Sequence, residues 1–252
     1  MLDFSKIKTI PIKQRKNKVK LSDLIKPENS KVMMDSIELN DLVYRTINAS
    51  VRNKQIIVMI GAHVIKVGMS LLIIDLMKKG IIKHIAMNGA GPIHDFELAL
   101  IGETSEYVEK TIEDGTFGMI EETGRILNNA IKEGAENNLG YGYSIGKKIN
   151  DLNLKNKEYS ILYNAYKLNI PVTVHVAIGT DIIHQHPSCD GAAIGKTSYQ
   201  DFRIFAESVS KLEEGIILNL GSAVILPEVF LKALTVARNL GYKVEKITAA
   251  NF

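Results

Sequence analysis

The residues of this sequence that could carry chemistry gather where predicted strands end. The clearest group is the run NGAGPIHD at residues 88–95, which follows the short apolar segment 81–87. Its small residues let backbone N–H groups approach a ligand closely, and its adjacent His94 and Asp95 can move a proton or hold a charged group. Only two glycines of the G-x-G-x-x-G fingerprint are present, so this turn indicates a nucleotide-contacting loop only when other signals agree.

Two later turns carry similar residues. The run Gly179-Thr180-Asp181 is followed by His184 and His186, and Gly221-Ser222-Ala223 follows the apolar segment 216–220. The carboxyl ends of parallel strands meet at one edge of a sheet, where ligands of open α/β proteins bind. Three such turns in one chain therefore predict a binding crevice.

His94 and His186 are the candidates for general acid–base catalysis, because imidazole titrates near neutral pH. A metal site that combines His94, Asp95 and either His184 or His186 is an alternative, although no tight ligand motif such as H-E-x-x-H is present. Ser222 lacks the G-x-S-x-G context of a hydrolase nucleophile.

Other polar residues have simpler interpretations. His84 and His175 fall inside predicted strands and are interpreted as packed or paired core residues. Asp95 and Asp181 are candidates for binding a cationic substrate or ribose hydroxyls. Glu97 is a further candidate, with solvation at the surface as its alternative.

Helices and strands alternate along the chain. Helices are predicted over about 35–53, 67–79, 105–114, 121–137, 158–168, 199–211 and 227–241, and strands over about 55–60, 81–87, 172–177, 216–220 and 243–248. The glycine-rich segment 139–146 is predicted as a loop. This order favours an α/β fold with a largely parallel, doubly wound, Rossmann-like sheet and helices on both faces.

Length and composition narrow the class of protein. With 252 residues, 46% hydrophobic and 23% charged, the chain is typical of a globular protein, and a net charge of +3 is too small to indicate nucleic-acid binding. No apolar run reaches the length of a membrane span, so no membrane partner is expected. The single cysteine, Cys189, excludes an internal disulfide framework and is typical of the reducing cytoplasm, the expected compartment.

Part of the positive charge is local. Residues 1–34 are predicted to form a basic N-terminal arm, and residues 35–252 a single domain. The arm is interpreted as a solvated or subunit-contacting segment, with phosphate or nucleic-acid contact as the alternative. Its basic residues are Lys13, Arg15, Lys16, Lys18 and Lys20.

Much of the chain resembles the deoxyhypusine synthase family. Residues 61–76 and 81–97 resemble its strand–helix–strand unit, which ends in a TAGG-like turn followed by acidic residues. Three later segments are also similar to family stretches. Residues 169–181 resemble its I-P-V…T-D-G stretch, residues 218–224 its I-L-G-G-G-V stretch and residues 247–252 its N-T-A-Q-E-F stretch. The matches together cover about residues 55–100 and 158–252, and their order and spacing are more specific than any one motif.

The resemblance implies an NAD-binding domain in a homotetramer with active sites at subunit interfaces. Family members oxidise spermidine with NAD and transfer its aminobutyl group through an imine on a catalytic lysine. Asp95 falls on the family's acidic pair and Glu228 near the position of a family histidine, so both are expected to bind substrate. The residues expected to bind the cofactor are Gly89, Ala90, Gly91, Thr180, Asp181, Gly221 and Ser222.

The sequence also departs from the family. It has no tryptophan, and the family's lysine, with its neighbouring tryptophan and acidic residues, lies beyond the strand at which this sequence ends. His186 falls about where the family has a second aspartate. Either the sequence is truncated, or this branch keeps the cofactor site and performs different chemistry.

The leading hypothesis is an NAD-dependent, deoxyhypusine synthase-like enzyme that dehydrogenates a polyamine or another small amine, with or without aminobutyl transfer. In this scheme His94 or His186 moves protons. One alternative is a non-catalytic, oligomeric nucleotide-binding protein of the same fold. A second alternative is a metal-assisted hydrolase that would use His94, Asp95, His184 and His186.

Overall fold

The structure is a computed structural model and describes residues 2–30 and 35–252. Its strands are β1 (Asn17–Lys20), β2 (Ile56–Ile60), β3 (His84–Asn88), β4 (Glu103–Glu106), β5 (Val172–His175), β6 (Ile216–Leu220) and β7 (Thr248–Asn251). Its helices are α1 (Ile37–Val51), α2 (His63–Lys66), α3 (Ser70–Lys78), α4 (Ala90–Ile101), α5 (Val108–Thr111), α6 (Glu121–Glu136), α7 (Tyr141–Asp151), α8 (Ile161–Leu168), α9 (Gly191–Ser210) and α10 (Ile225–Asn239). Within the described residues, no helix combines the length and the apolar character that a membrane crossing requires.

The main sheet is parallel, with the strand order β5-β3-β2-β6-β7. Strand β2, with the sequence IIVMI, lies at the centre and is buried along its whole length, as a strand covered on both faces must be. Val58 packs towards the helices that follow β2 and β3, whereas Ile57 packs towards α9 and α10. Helices therefore cover both faces of the sheet, and the predicted doubly wound α/β fold is confirmed.

The basic arm is packed against the domain. Strand β1 pairs antiparallel with β4, so that Val19 lies opposite Thr104 and Asn17 opposite Glu106. Ile12 of the arm is buried, and its backbone N–H donates to Glu122 of α6 at 2.8 Å. The arm thus packs on its own domain, while its described basic side chains other than Arg15 are exposed, and contact with another subunit stays a prediction. The predicted boundary near residue 34 falls on residues 31–34, which lie outside the described residues.

The glycine-rich segment 139–146 was expected to be a loop but forms the start of α7. Its glycines serve close helix packing. A Cβ atom on Gly142 would lie 2.2 Å from the carbonyl oxygen of Val172, and one on Gly146 would lie 2.6 Å from that of Leu162. Glycine is therefore required here for the close approach of α7 to β5 and α8. The prediction of a loop for this segment was wrong.

Other boundaries also differ from the prediction. Strand β4 and short helix α5 replace the helix expected over 105–114, because 103–106 pairs with the arm. Helix α9 begins at Gly191, where Asp190 accepts hydrogen bonds from two first-turn N–H groups. The last strand was expected at 243–248 but pairs with β6 only from Thr248, since Val244 is instead buried beneath α10.

His84 and His175 lie in the core, as expected. His84 hydrogen-bonds through Nδ1 with Ser208 at 2.7 Å and through Nε2 with Thr173 at 2.9 Å. His175 shares Thr173 through its Nε2 at 3.0 Å, and both rings pack edge-on against Phe205. Burial lowers the pKa of each to about 3, so these rings are neutral structural groups.

A buried aspartate joins α9 to α7 and to the edge strand β5. Asp201 is fully buried, and its Oδ2 accepts hydrogen bonds from the backbone N–H groups of Gly142 at 2.9 Å and Val174 at 2.7 Å. Burial raises the pKa of Asp201 from 3.8 to about 8, although these bonds act in the opposite direction.

Asp201 should therefore make stability fall as pH rises. Its folded pKa lies above its unfolded pKa, so its contribution is complete below about pH 4 and is lost as pH rises towards about 8. The buried histidines act mainly below pH 6.5, and the carboxyls whose pKa is raised to about 6 are largely ionised above it, so Asp201 has the largest effect between pH 6.5 and 8. We expect the free energy of unfolding in urea to decrease by about 1–2 kcal/mol across this interval, and Asp201→Asn to flatten the curve.

The surface variant Asp41→Asn is the matched control and should keep the slope of the parent protein. A parent protein whose stability is constant or rises between pH 6.5 and 8 would contradict the raised pKa of Asp201.

Candidate functional site

The strand order places a topological switch point between β2 and β6, where ligands of doubly wound folds bind. Here the two strand ends contact each other directly. A Cβ atom on Gly61 would lie 2.3 Å from the carbonyl oxygen of Gly221, and one on Gly221 would lie 2.1 Å from Nε2 of His63. Gly221 also has a φ of +70°, which favours glycine. The glycines at this point therefore serve backbone packing.

A cavity of about 220 Å³ lies beside the switch point, over the ends of β3 and β5. Its walls come from the arm, α2, the first turns of α4, the β4–α5 segment and the loop after β5. It is lined by Arg15, Lys66, Ala90, Ile93, His94, Glu97, Ser105, Glu106, Val108, Phe117, Thr180, Asp181 and Ile182. Five candidate residues from the sequence thus meet in one cavity: Ala90, His94, Glu97, Thr180 and Asp181.

His94 is held by a neighbouring hydroxyl. Its Nδ1 lies 2.8 Å from Oγ1 of Thr104, and Nε2 has no hydrogen-bond partner in the part of the chain that the structure describes. Burial lowers the pKa of His94 to about 4, opposed by the charge of Glu97 and assisted by those of Lys66 and Arg15. At neutral pH the cavity therefore contains a neutral imidazole.

Two carboxylates beside His94 are incompletely satisfied. Oε2 of Glu106 and Oδ2 of Asp181 are buried and accept no hydrogen bond from the described residues. Burial raises the pKa of Glu106, and it raises that of Asp181 to about 6. Buried acceptors without partners cost free energy, so a ligand that donates hydrogen bonds would be stabilised in this cavity.

The loop after β5 fixes the position of Asp181. Nδ1 of His184 accepts hydrogen bonds from the backbone N–H groups of Gly179 at 3.0 Å and Asp181 at 3.2 Å, so the ring proton lies on Nε2. That nitrogen is 3.7 Å from Oδ2 of Asp181. On the other side, a Cβ atom on Gly89 would lie 1.9 Å from the same oxygen. The glycine at position 89 therefore makes room for the Asp181 carboxylate.

Other predicted site residues lie outside the cavity. Asp95 is fully buried, where it accepts hydrogen bonds from the Ser160 hydroxyl and from the N–H groups of Ile161 and Leu162 at the start of α8. His186 is buried, and its Nε2 lies 2.7 Å from the carbonyl oxygen of Gly118. Asp95, expected to bind substrate, and His186, expected to move protons, therefore have structural contacts instead.

The remaining predicted residues stabilise local structure. Gly91 packs against Met87, and Oγ of Ser222 accepts a hydrogen bond from the N–H of Leu226 in α10 at 3.2 Å. Glu228 is exposed on α10 and paired with Lys232. The four ligands of the metal-assisted hydrolase hypothesis are not brought together, and no group of three potential metal ligands occurs among residues 2–30 and 35–252.

Several cavity residues were not predicted from the sequence. Glu106 belongs to the segment 105–114 that was expected to be helical, and Thr104 directly precedes it, so the pairing of this strand with the arm was not predicted. Lys66 follows the central strand β2, a position that could have indicated a site residue. Arg15 was predicted only as one of the basic residues of the arm.

No family model and no curated protein matches the sequence. Among solved structures, unliganded AgrE is similar over 88% of this chain and 32% of its own, with 14% identity and a TM-score of 0.55. A protein from Methanococcus maripaludis S2 assigned as LOR/SDH matches over 90% and 67%, with 15% identity and a TM-score of 0.47. A protein from Entamoeba histolytica assigned as a deoxyhypusine synthase matches over 68% and 60%, with 15% identity and a TM-score of 0.43.

At these identities the likeness to AgrE shows a shared fold alone. This chain spans about a third of the AgrE chain. The fold itself defines a class, the doubly wound α/β proteins with the strand order of dinucleotide-binding domains.

The residues present fit one end of an NAD molecule better than its phosphates. The unpaired Oδ2 of Asp181 can accept a hydrogen bond from a ribose hydroxyl, a role that acidic residues have in this class of fold. The same carboxylate fills the space beside Gly89, where it would repel a pyrophosphate. A larger cleft of about 770 Å³ shares Arg15 and Glu106 with the cavity and is also lined by Lys16, Lys20 and Lys110, which suit an anion.

The close contact at the switch point can be tested with Gly61→Ala. The added methyl group would overlap the Gly221 carbonyl, which is backbone and cannot rotate away, so the ends of β2 and β6 must separate. We expect a loss of about 1–3 kcal/mol in the free energy of unfolding, measured by urea denaturation.

Gly195→Ala is the matched control. Gly195 lies inside α9, and a Cβ atom added there would have no atom within 4 Å apart from the adjacent residues and the backbone of its own helix. This change should therefore stabilise the protein by up to about 1 kcal/mol. Equal effects of the two substitutions would show that the strand ends are not in contact.

Proposed function

We propose that this chain is the cofactor-binding and catalytic part of an NAD-dependent enzyme that acts on a small amine. The observation that carries the proposal is the meeting of His94, Glu106 and Asp181 in one cavity. Each presents an acceptor atom that the described protein groups leave without a partner. The cavity is smaller than the roughly 300–1,000 Å³ of sites for drug-sized ligands, so it suits a small molecule or one end of a larger one.

An ammonium group matches these acceptors. It carries up to three N–H donors and a positive charge, whereas a buried carboxylate without a partner has a large unfavourable desolvation energy. In the proposed complex, Glu106 binds the ammonium and Nε2 of His94 lies ready to remove one of its protons. A carboxylate substrate group would be disfavoured at this end of the cavity, because it would face two carboxylates.

Removal of that proton is required for dehydrogenation. An amine can lose hydride from its carbon only when the nitrogen has a free lone pair, and an ammonium has none. His94 therefore acts as general base, and the C–N single bond becomes a C=N bond as the hydride departs. NAD, when bound, would supply the hydride acceptor.

We assign the cofactor to the same edge of the sheet. Asp181 would accept a ribose hydroxyl, Thr180 and Ala90 would contact the adjacent part of the cofactor, and the phosphates would lie in the basic cleft beside the arm. AgrE, which shares the fold, also has a crystal structure as a ternary complex with ornithine and NAD+. Ornithine therefore belongs in the panel of amines to be tested, with spermidine and putrescine.

The expected homotetramer stays a prediction. Helix α1 offers one surface on which copies could pack, since it exposes an apolar stripe with heptad spacing that consists of Ile37, Tyr44, Ile47 and Val51. Its amino-terminal half carries Glu38 and Asp41. Arg45 lies in its carboxyl-terminal half and Arg52 directly follows the helix, and within the chain these arginines pair with Asp41 and Glu214. Antiparallel pairing of two such helices would bring opposite charges together.

The first test is binding and turnover with NAD. A ligand that binds only the native state stabilises it, by about 2.7 kcal/mol at 100 times its Kd, so saturating NAD should raise the Tm. Addition of the correct amine should then produce NADH, measured by its absorbance. An unchanged Tm with NAD would refute the proposal, and NAD binding without turnover of any amine would favour the non-catalytic alternative.

The second test uses the unpaired carboxylates. Glu106→Gln and Asp181→Asn each remove a buried charge that has one oxygen without a partner, and the Tm should rise by about 2–4 °C for every kcal/mol of stability gained. Glu106→Gln should at the same time raise the KM for the amine, and Asp181→Asn the KM for NAD. A stability gain combined with a loss of function is typical of functional residues.

Glu109→Gln is the matched control, because Glu109 is near Glu106 in the sequence but is exposed on α5 and lines neither the cavity nor the basic cleft. It should leave both KM values unchanged. If Glu106→Gln lowers the Tm and leaves KM unaltered, Glu106 has a structural role and does not bind the amine.

A further inference from the structure

His94 stands at the end of a chain of buried hydrogen bonds. Glu97 accepts two hydrogen bonds from the guanidinium of Arg15, from Nη1 at 2.9 Å and from Nη2 at 2.7 Å. It also accepts hydrogen bonds from the hydroxyls of Thr104 at 2.6 Å and Thr123 at 2.9 Å. Thr104 is in turn 2.8 Å from Nδ1 of His94. The chain thus runs from the arm through α4 and β4 to the cavity.

The position of each proton follows from what each group can donate. A guanidinium can only donate, so the Glu97 carboxylate accepts at both oxygens. The single hydroxyl proton of Thr104 is used in the bond to Glu97. Its oxygen must therefore accept the hydrogen bond from Nδ1 of His94. The imidazole then carries its proton on Nδ1, and Nε2 has a free lone pair.

We propose that Thr104 is a positioning residue that holds His94 in the Nδ1–H tautomer and so presents Nε2 as the base of the cavity. Free histidine prefers the other tautomer, with its hydrogen on Nε2, so the protein must impose this state. The arrangement is comparable to that of a catalytic triad, in which a carboxylate orients the histidine, except that a threonine hydroxyl lies between them.

Arg15 has a second part in the arrangement. Burial is the main cause that lowers the pKa of His94, and the positive charge of Arg15 beside Glu97 offsets part of the stabilisation that this carboxylate would give to an imidazolium. The charged groups that face His94 from its surroundings are Glu97 on α4, Arg15 on the arm, Lys66 on α2, Glu106 on β4 and Asp181 after β5. The catalytic meaning of the tautomer rests on the proposed function, but the tautomer exists without any ligand.

The experiment measures ring protonation directly. Long-range 1H–15N spectra of the full chain at pH 7 distinguish protonated from unprotonated ring nitrogens, and the signals of His94 are assigned by their loss in His94→Gln. The parent protein and Thr104→Ser should show a proton on Nδ1 and none on Nε2. Thr104→Val, which keeps the β-branched shape but has no hydroxyl, should shift the population towards the Nε2–H tautomer.

Thr123→Val provides the matched control. Thr123 is also buried and also donates to Glu97, but it does not contact His94. It should leave the tautomer of His94 unchanged. A parent protein with the proton on Nε2 overturns the proposal even if no variant folds, and so does a Thr104→Val protein that keeps the parent tautomer.

Turnover provides a separate readout. Once an amine substrate is found, Thr104→Val should lower kcat by about 10²-fold with little change in the KM for the amine, and Thr104→Ser should restore most of the rate. Because the spectra need neither NAD nor amine, failure of the proposed function would leave the tautomer result intact. Failure of the tautomer result would likewise leave amine oxidation to be judged by NADH formation.

Discussion

The ion pair between Arg15 and Glu97 is the interaction on which the candidate site depends. Only 4% and 1% of these side chains are exposed, so both charges have been removed from water. Such burial is tolerated when every donor and acceptor is satisfied. The carboxylate oxygens of Glu97 accept four hydrogen bonds, two from Arg15 and one each from the hydroxyls of Thr104 and Thr123. Removal of one partner would leave an uncompensated buried charge, a change that costs about 3–5 kcal/mol. The arm, α4, β4 and α6 are thereby held in one arrangement.

The contrast with the neighbouring carboxylates is informative. Glu97 is saturated with donors, whereas Glu106 and Asp181 each keep one buried oxygen without a partner among the described residues. All three line the same cavity. Glu97 is accounted for by the stability of the fold, but the other two reduce stability in the absence of a ligand. Residues that reduce the stability of the free protein are expected where a ligand binds, and the donors they lack define what that ligand must carry.

The sequence predicted the parts of the fold that depend on local pattern. The strand at Ile216–Leu220 and the buried run at 56–60 follow from continuous β-branched and aliphatic residues, and the parallel order follows from their alternation with helices. Contacts between distant segments were not predictable. The glycines of 139–146 are needed for close packing of a helix, and the pairing of β1 with β4 joins residues about 85 positions apart, so neither has a local signal.

His94 and Asp95 were interpreted as a pair for the same reason, because the contacts that each makes with distant segments have no local sequence signal. Adjacent residues on a helix are separated by about 100° around its axis, so they face different surroundings, whereas residues three apart lie on one side. On α4, Asp95 faces the start of α8 and satisfies its N–H groups, while His94 and Glu97 face the cavity together. The helix thus places one of two neighbouring polar residues as a structural cap and the other in the wall of the cavity. The carboxylate linked to His94 is Glu97, three positions later, and the link runs through Thr104 on β4, the strand that pairs with the arm.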